Sequence, residues 1–77
     1  MYKRRMEHQS LLQMVTNEWE SKSRIHREAA RYWDITRQCA TDTTEQERAN
    51  ERYQCEMRQA QYAHEKLLLC LGLKSAL

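Results

Sequence analysis

The side chains that could ligate a metal or act as nucleophiles are three histidines, His8, His26 and His64, and three cysteines, Cys39, Cys55 and Cys70. A zinc site needs about four ligands converging on one point, usually contributed as close-spaced pairs. Here every candidate is a singleton. The chain holds no Cys-x-x-Cys, His-x-x-x-His or Glu-x-x-His pair. The bland reading is that Cys39 and Cys70 pack as small apolar groups, with the histidines on a helix seam or its rim. Neither a metal nor a cofactor is expected. Catalytic signatures are also missing, including a glycine-rich phosphate loop, a G-x-S-x-G elbow and paired carboxylates. The chain is therefore not expected to be an enzyme.

The arginines offer a different chemistry. Arg24, Arg27 and Arg31 share one helical face, and Lys3, Arg4 and Arg5 form a basic tuft. Such a row can dock on phosphates, with Tyr2 or Tyr32 as stacking groups. Against this, Glu20, Glu28 and Asp34 lie within a turn of the row and would neutralise part of it. The charge balance is also mild: 13 basic and 11 acidic residues, net +2, with 8 basic and 5 acidic in residues 1–40. A dedicated nucleic-acid binder is usually far more basic.

These side chains have to be positioned by helices. The chain has 77 residues, one glycine and no proline, too little punctuation for a sheet or barrel. Its commonest residues are good helix formers. The one clear interruption is Ala40-Thr41-Asp42-Thr43-Thr44, where short polar side chains favour caps over helix interior. Asp42 with Glu45, Thr43 with Gln46 and Thr44 with Glu47 form three overlapping capping boxes. The fold class expected is all-α: one domain, an antiparallel hairpin with helix 1 over 4–39, a turn at 40–44, helix 2 over 44–71 and a tail at 72–77. Ser21 or Ser23 could cap a separate helix. No Gly or Pro stops the first segment, however, and Glu20 and Arg24 suit an i,i+4 pair, so one unbroken helix is expected. Gly72 occupies the place of a left-handed C-cap, with Leu73 beside it.

Apolar residues recur at alternating steps of three and four. In helix 1 the line is Leu12, Val15, Trp19, Lys22, His26, Ala29, Trp33, Thr36 and Ala40, widened by Leu11, Ile25, Tyr32 and Cys39. In helix 2 it is Asn50, Tyr53, Met57, Ala60, His64, Leu67 and Leu71, broadened by Ala49, Ala63 and Leu68. Leu11, Leu12, Val15, Trp19, Ile25, Ala29, Trp33, Tyr53, Met57, Ala60, Leu67, Leu68 and Leu71 are thus the expected core and oligomer-interface residues. Folding at the turn sets Leu12, Val15 and Trp19 against Leu67, Leu68 and Leu71, and Trp33 near Asn50 and Tyr53. His26 and His64 fall on the seam. A polar residue there can fix register, and a buried neutral histidine would make association sensitive to pH below about 6.

A domain this small rarely draws more than about 3–5 kcal/mol from its core. A bare hairpin also leaves half of each helix uncovered. Leu67-Leu68-Leu69-Cys70-Leu71 is apolar on every side, more than one neighbour can cover, and such a surface marks an interaction site or a dimer core. The run is too short to span a bilayer, which takes about 20 apolar residues. The odd, scattered cysteines suit an intracellular, reducing compartment such as the cytoplasm. The expected function is a small protein–protein interaction module (adaptor, regulator, inhibitor or assembly subunit). It would pair with a second copy as a four-helix bundle, bind a protein partner, or both. The alternative is a dimeric nucleic-acid-binding regulator using the arginine face of helix 1. In topology and size the arrangement resembles the small plasmid RNA-binding hairpin proteins. None of their motifs occurs here, so no functional residue carries over.

Overall fold

The computed structural model describes the backbone of residues 2–76 and the side chains of residues 9–76. Two helices, α1 (Tyr2–Cys39) and α2 (Thr43–Ala76), pack against each other. Contacts between Gln13 and Lys74, His26 and Glu56, and Arg37 and Asn50 show that the pairing is antiparallel. The molecule is a rod with extents of 62 × 13 × 12 Å.

Three residues, Ala40, Thr41 and Asp42, make the reversal. Of the three overlapping capping boxes, Asp42 provides the cap. Its Oδ1 accepts from the Glu45 backbone N–H at 2.7 Å, and its carbonyl accepts from the Gln46 N–H at 3.1 Å. Glu45 lies in the first turn of α2, where a carboxylate complements the helix dipole. α1 passes through Ser21–Ser23 without a break. Its i,i+4 ion pair in this stretch is Glu18–Lys22 at 2.9 Å.

The far end of α2 differs from the sequence expectation. The helix does not stop at 71 but continues through Gly72 to Ala76, and no residue among those described has a positive φ. The last turn supplies its own reason. The Ser75 hydroxyl donates to the Leu71 carbonyl at 3.1 Å, and Lys74 reaches back to Gln13 across the hairpin. Leu73, Lys74 and Ala76 are also good helix formers.

The seam between the helices is rotated by one residue from the expected line. The heptad positions Leu12, Trp19, His26 and Trp33 do face the partner helix, half-buried. Between them, however, lie Thr16, Ser23 and Ala30, all buried, instead of Val15, Lys22 and Ala29. In α2, Tyr53, Ala60 and Leu67 keep their places. Ala49, Glu56, Ala63 and Cys70 replace Asn50, Met57, His64 and Leu71. The physical reason is charge and size. The expected line would have buried Lys22, Asn50 and His64. One residue of rotation exchanges them for Ser23, Ala49 and Ala63, which nest closely and need little desolvation. The Thr16 hydroxyl is satisfied by the Leu12 carbonyl at 2.7 Å. Among the described residues no buried side-chain nitrogen or oxygen lacks a partner.

The small-residue seam leaves the bulky apolar residues outside. Val15 is 42% exposed, Met57 44% and Ile25 56%. The accessible surface is 6434 Å² for a 9.4 kDa chain, whereas a folded monomer of that mass exposes about 5,000 Å².

Two substitutions test these termini. Asp42→Ala should lower stability by about 1 kcal/mol in urea melts followed by circular dichroism, through loss of the cap. Gly72 has nothing within 4 Å of an added Cβ and lies in helical backbone, so Gly72→Ala should raise stability by about 0.4–1 kcal/mol.

Candidate interaction face

Because both helices use adjacent heptad positions for the seam, the hairpin has two distinct broad faces. One is defined by Trp19, which packs edge-on against Tyr62 with ring centroids 5.8 Å apart. Lys22 sits over the Trp19 ring at 4.7 Å and Lys66 over Tyr62 at 5.3 Å. Further along, Arg52 lies 6.0 Å from the Trp33 ring, and a groove opens between Trp33, Thr36, Cys39 and Ala40 on α1 and Glu45, Arg48 and Ala49 on α2. Helical spacing carries Leu11, Val15, Ile25, Ala29 and Tyr32 along this face of α1 and Cys55, Tyr62, Leu69 and Leu73 along α2. Leu11 is 59% exposed and Leu69 62%. Among the described residues the ion pair found there, Glu18–Lys22, is internally neutral.

The opposite face is more polar, though exposed Met57, Leu68 and Leu71 also lie on it, the two leucines following Gln61 and His64 by seven residues. Arg27 and Ser23 meet Met57, Gln61 and His64, and nearer the turn Arg37 and Gln38 meet Gln46, Glu47 and Asn50. Arg37 is the organising residue at this end. It donates to Asp34 Oδ1 at 2.8 Å and to Asn50 Oδ1 at 2.7 Å, with its guanidinium stacked 4.1 Å from the Tyr53 ring centroid. Asp34 is therefore engaged by Arg37 rather than by Arg31. Arg24, Arg27 and Arg31 are exposed, and among the described residues none has a carboxylate within ion-pair distance. The side chains of Lys3, Arg4 and Arg5 lie outside the described residues.

The two seam histidines separate. His26 is half-buried, and its Nδ1 lies 2.6 Å from Glu56 Oε2 across the helix pair. His64 is exposed on the polar face. Reading each helix alone missed Glu56 and Arg37. Glu56 follows Ala49 by seven residues and Arg37 follows Ala30 by seven, which places both on the rotated seam.

The expected interface residues divide three ways. Ala60 is buried. Leu12, Trp19, Ala29, Trp33, Tyr53 and Leu67 are half-buried. Leu11, Val15, Ile25, Met57, Leu68 and Leu71 are exposed. Within the leucine-rich end Cys70 turns inward and Leu69 faces water. The cysteines are all free, Cys39 and Cys55 exposed and Cys70 buried. Among the described residues no group of three or more His, Cys, Asp or Glu could hold a metal ion, and no helix is long and apolar enough to cross a membrane.

Fold and surface together define a class: an antiparallel helical hairpin whose fully buried positions are small residues and whose larger apolar residues are mostly exposed. No family model matches the chain, and neither the curated proteins nor the solved structures yield a match.

The cross-helix pair is testable on its own. A double-mutant cycle of His26→Ala and Glu56→Ala in urea should return a favourable coupling of about 1 kcal/mol, whereas a coupling near zero would reduce the contact to proximity.

Proposed function

We propose that this protein is a non-enzymatic interaction module that works by helix–helix binding through the face carrying Trp19, Tyr62 and the exposed aliphatic residues. One observation carries the reading. The fully buried seam positions are Thr, Ser, Ala and Cys, while Leu11, Ile25, Tyr62 and Leu69 are each at least half exposed on a single side. A contiguous apolar face of this length on a soluble helix pair marks an association surface. Binding energy would concentrate in the aromatic cluster of Trp19 and Tyr62, since large aromatic side chains dominate interface hot spots. The odd number and wide sequence spacing of the cysteines favour a reducing compartment.

A second reading has its own support. Arg24, Arg27 and Arg31 are exposed without ion pairs on the polar face, which suits a nucleic-acid contact.

The two readings respond differently to salt and to substitution. Cross-linking in the native cells, followed by mass spectrometry, should give adducts that Ile25→Glu with Leu69→Glu removes and that Arg24, Arg27 and Arg31→Gln leave in place. Affinity for the bound protein should change little with salt, because burial of apolar surface is not screened. Adducts lost only with the arginine variant, together with salt-strippable absorbance at 260 nm, would replace this reading with the nucleic-acid one.

A further inference from the structure

The occupant of the apolar face can be specified further. Resting on the interaction-module reading, we propose that the face is covered by a second copy of this chain. The two hairpins lie antiparallel, so that the turn end of each sits against the leucine-rich end of the other.

Three observations converge on a second copy. The first is area. The chain exposes 6434 Å², about 1,400 Å² more than a compact monomer of its mass, so it can give up the roughly 800 Å² of a standard interface and still expose as much as a compact chain. The second is length. Exposed residues of α1 run from Leu11 to Cys39, about 42 Å of helix, so the occupant must itself be a straight rod of that length. This hairpin, 62 Å long, is such a rod. The third is angle. At 100° per residue the row Leu11, Val15, Ile25, Ala29 and Tyr32 is centred about 110° from the intrachain seam. This is close to the right angle between the two neighbours that each helix has in a four-helix bundle.

The orientation follows from what each end of the face offers. The turn end is concave, with a groove between Trp33, Thr36, Cys39, Ala40, Arg48 and Ala49. The other end projects Leu11, Leu69 and Leu73, each about 60% exposed. An antiparallel two-fold pairing centred near Ile25 brings each projection to the other copy's groove. Every copy then donates once and receives once, as a self-complementary two-fold interface requires. The Glu18–Lys22 pair brings no net charge to this face, whose other cations, Arg48, Arg52 and Lys66, lie beside its aromatic rings and groove, with Glu45 lining the same groove.

The test combines mass with one distance. Light scattering on the full chain should give twice the monomer mass, unchanged by salt. For the distance, Thr41→Cys is placed at the exposed turn, in a background of Cys39→Ser, Cys55→Ser and Cys70→Ala, and spin-labelled. Dipolar spectroscopy should then read about 50 Å between the two labels, against less than about 25 Å if the turns lie together. A dimer with the short distance overturns the orientation. A monomer overturns the second copy as occupant while leaving the interaction-module reading to its own cross-linking test. Should the cysteine-replaced chain lose its helical signal, Ile25→Glu in the native chain decides the matter. It should weaken dimerisation on the order of 100-fold, with Gln61→Glu on the opposite face leaving it unchanged. A dimer untouched by Ile25→Glu sinks the proposal.

Discussion

Close approach of two helices along a line of small side chains is the constraint from which the rest of this molecule follows. Ala30, Ala49, Ala60 and Ala63 are buried in the seam, Leu12, Trp19, Trp33, Tyr53 and Leu67 lie half-buried along it, and the other bulky residues are turned to the flanks. The flank on one side collects Leu11, Ile25, Leu69 and Leu73 together with the aromatic pair of Trp19 and Tyr62, while Met57, Leu68 and Leu71 fall on the other. The flank on the other collects the polar residues of α1. A seam of leucines would have reversed this, hiding the apolar residues between the helices and leaving a bland exterior. Here the interior is thin and the exterior carries the hydrophobic surface.

The same seam explains why the few polar contacts matter more than their number. Small side chains bury little apolar area, so at about 25 cal/mol per Å² they contribute less than a leucine seam would. Register then rests on groups with direction. His26 with Glu56 fixes the middle of the rod, and Arg37, tied to Asp34, Asn50 and Tyr53, fixes the turn end. Lys74 and Gln13 join the helices near the open end. Sliding one helix past the other by a turn would break all three connections together.

Much of the architecture was legible in the sequence because it depends on local chemistry. The Thr- and Asp-rich reversal, the unbroken α1 and one seam residue in every heptad, from Leu12 to Trp33 and from Tyr53 to Leu67, follow from capping and periodicity. The second seam position was not legible. Val15 or Thr16, and Met57 or Glu56, are adjacent residues on one stripe. The choice between them is made by both helices jointly, through which combination buries fewer charges. Neither the Glu56 partner of His26 nor the clamp at Arg37 can be found until that choice is made. Gly72 failed as a stop signal for a related reason: Lys74 reaches Gln13 on the other helix, a contact that a local rule does not include.

The single short reversal at Ala40–Asp42 also orders the assembly of the chain in time. Pairs near the turn, such as Arg37 with Asn50, are separated by few residues and close a small loop, whereas Gln13 and Lys74 must close one spanning most of the chain. Loop-closure entropy rises with that separation, so the hairpin zips outward from Asp42 and frays inward from its open end. The leucine-rich segment therefore belongs to the last part to dock and the first to release. An end rich in exposed leucines is thus mounted on the least persistent contacts, and any partner that covered it would also lock the zipper shut.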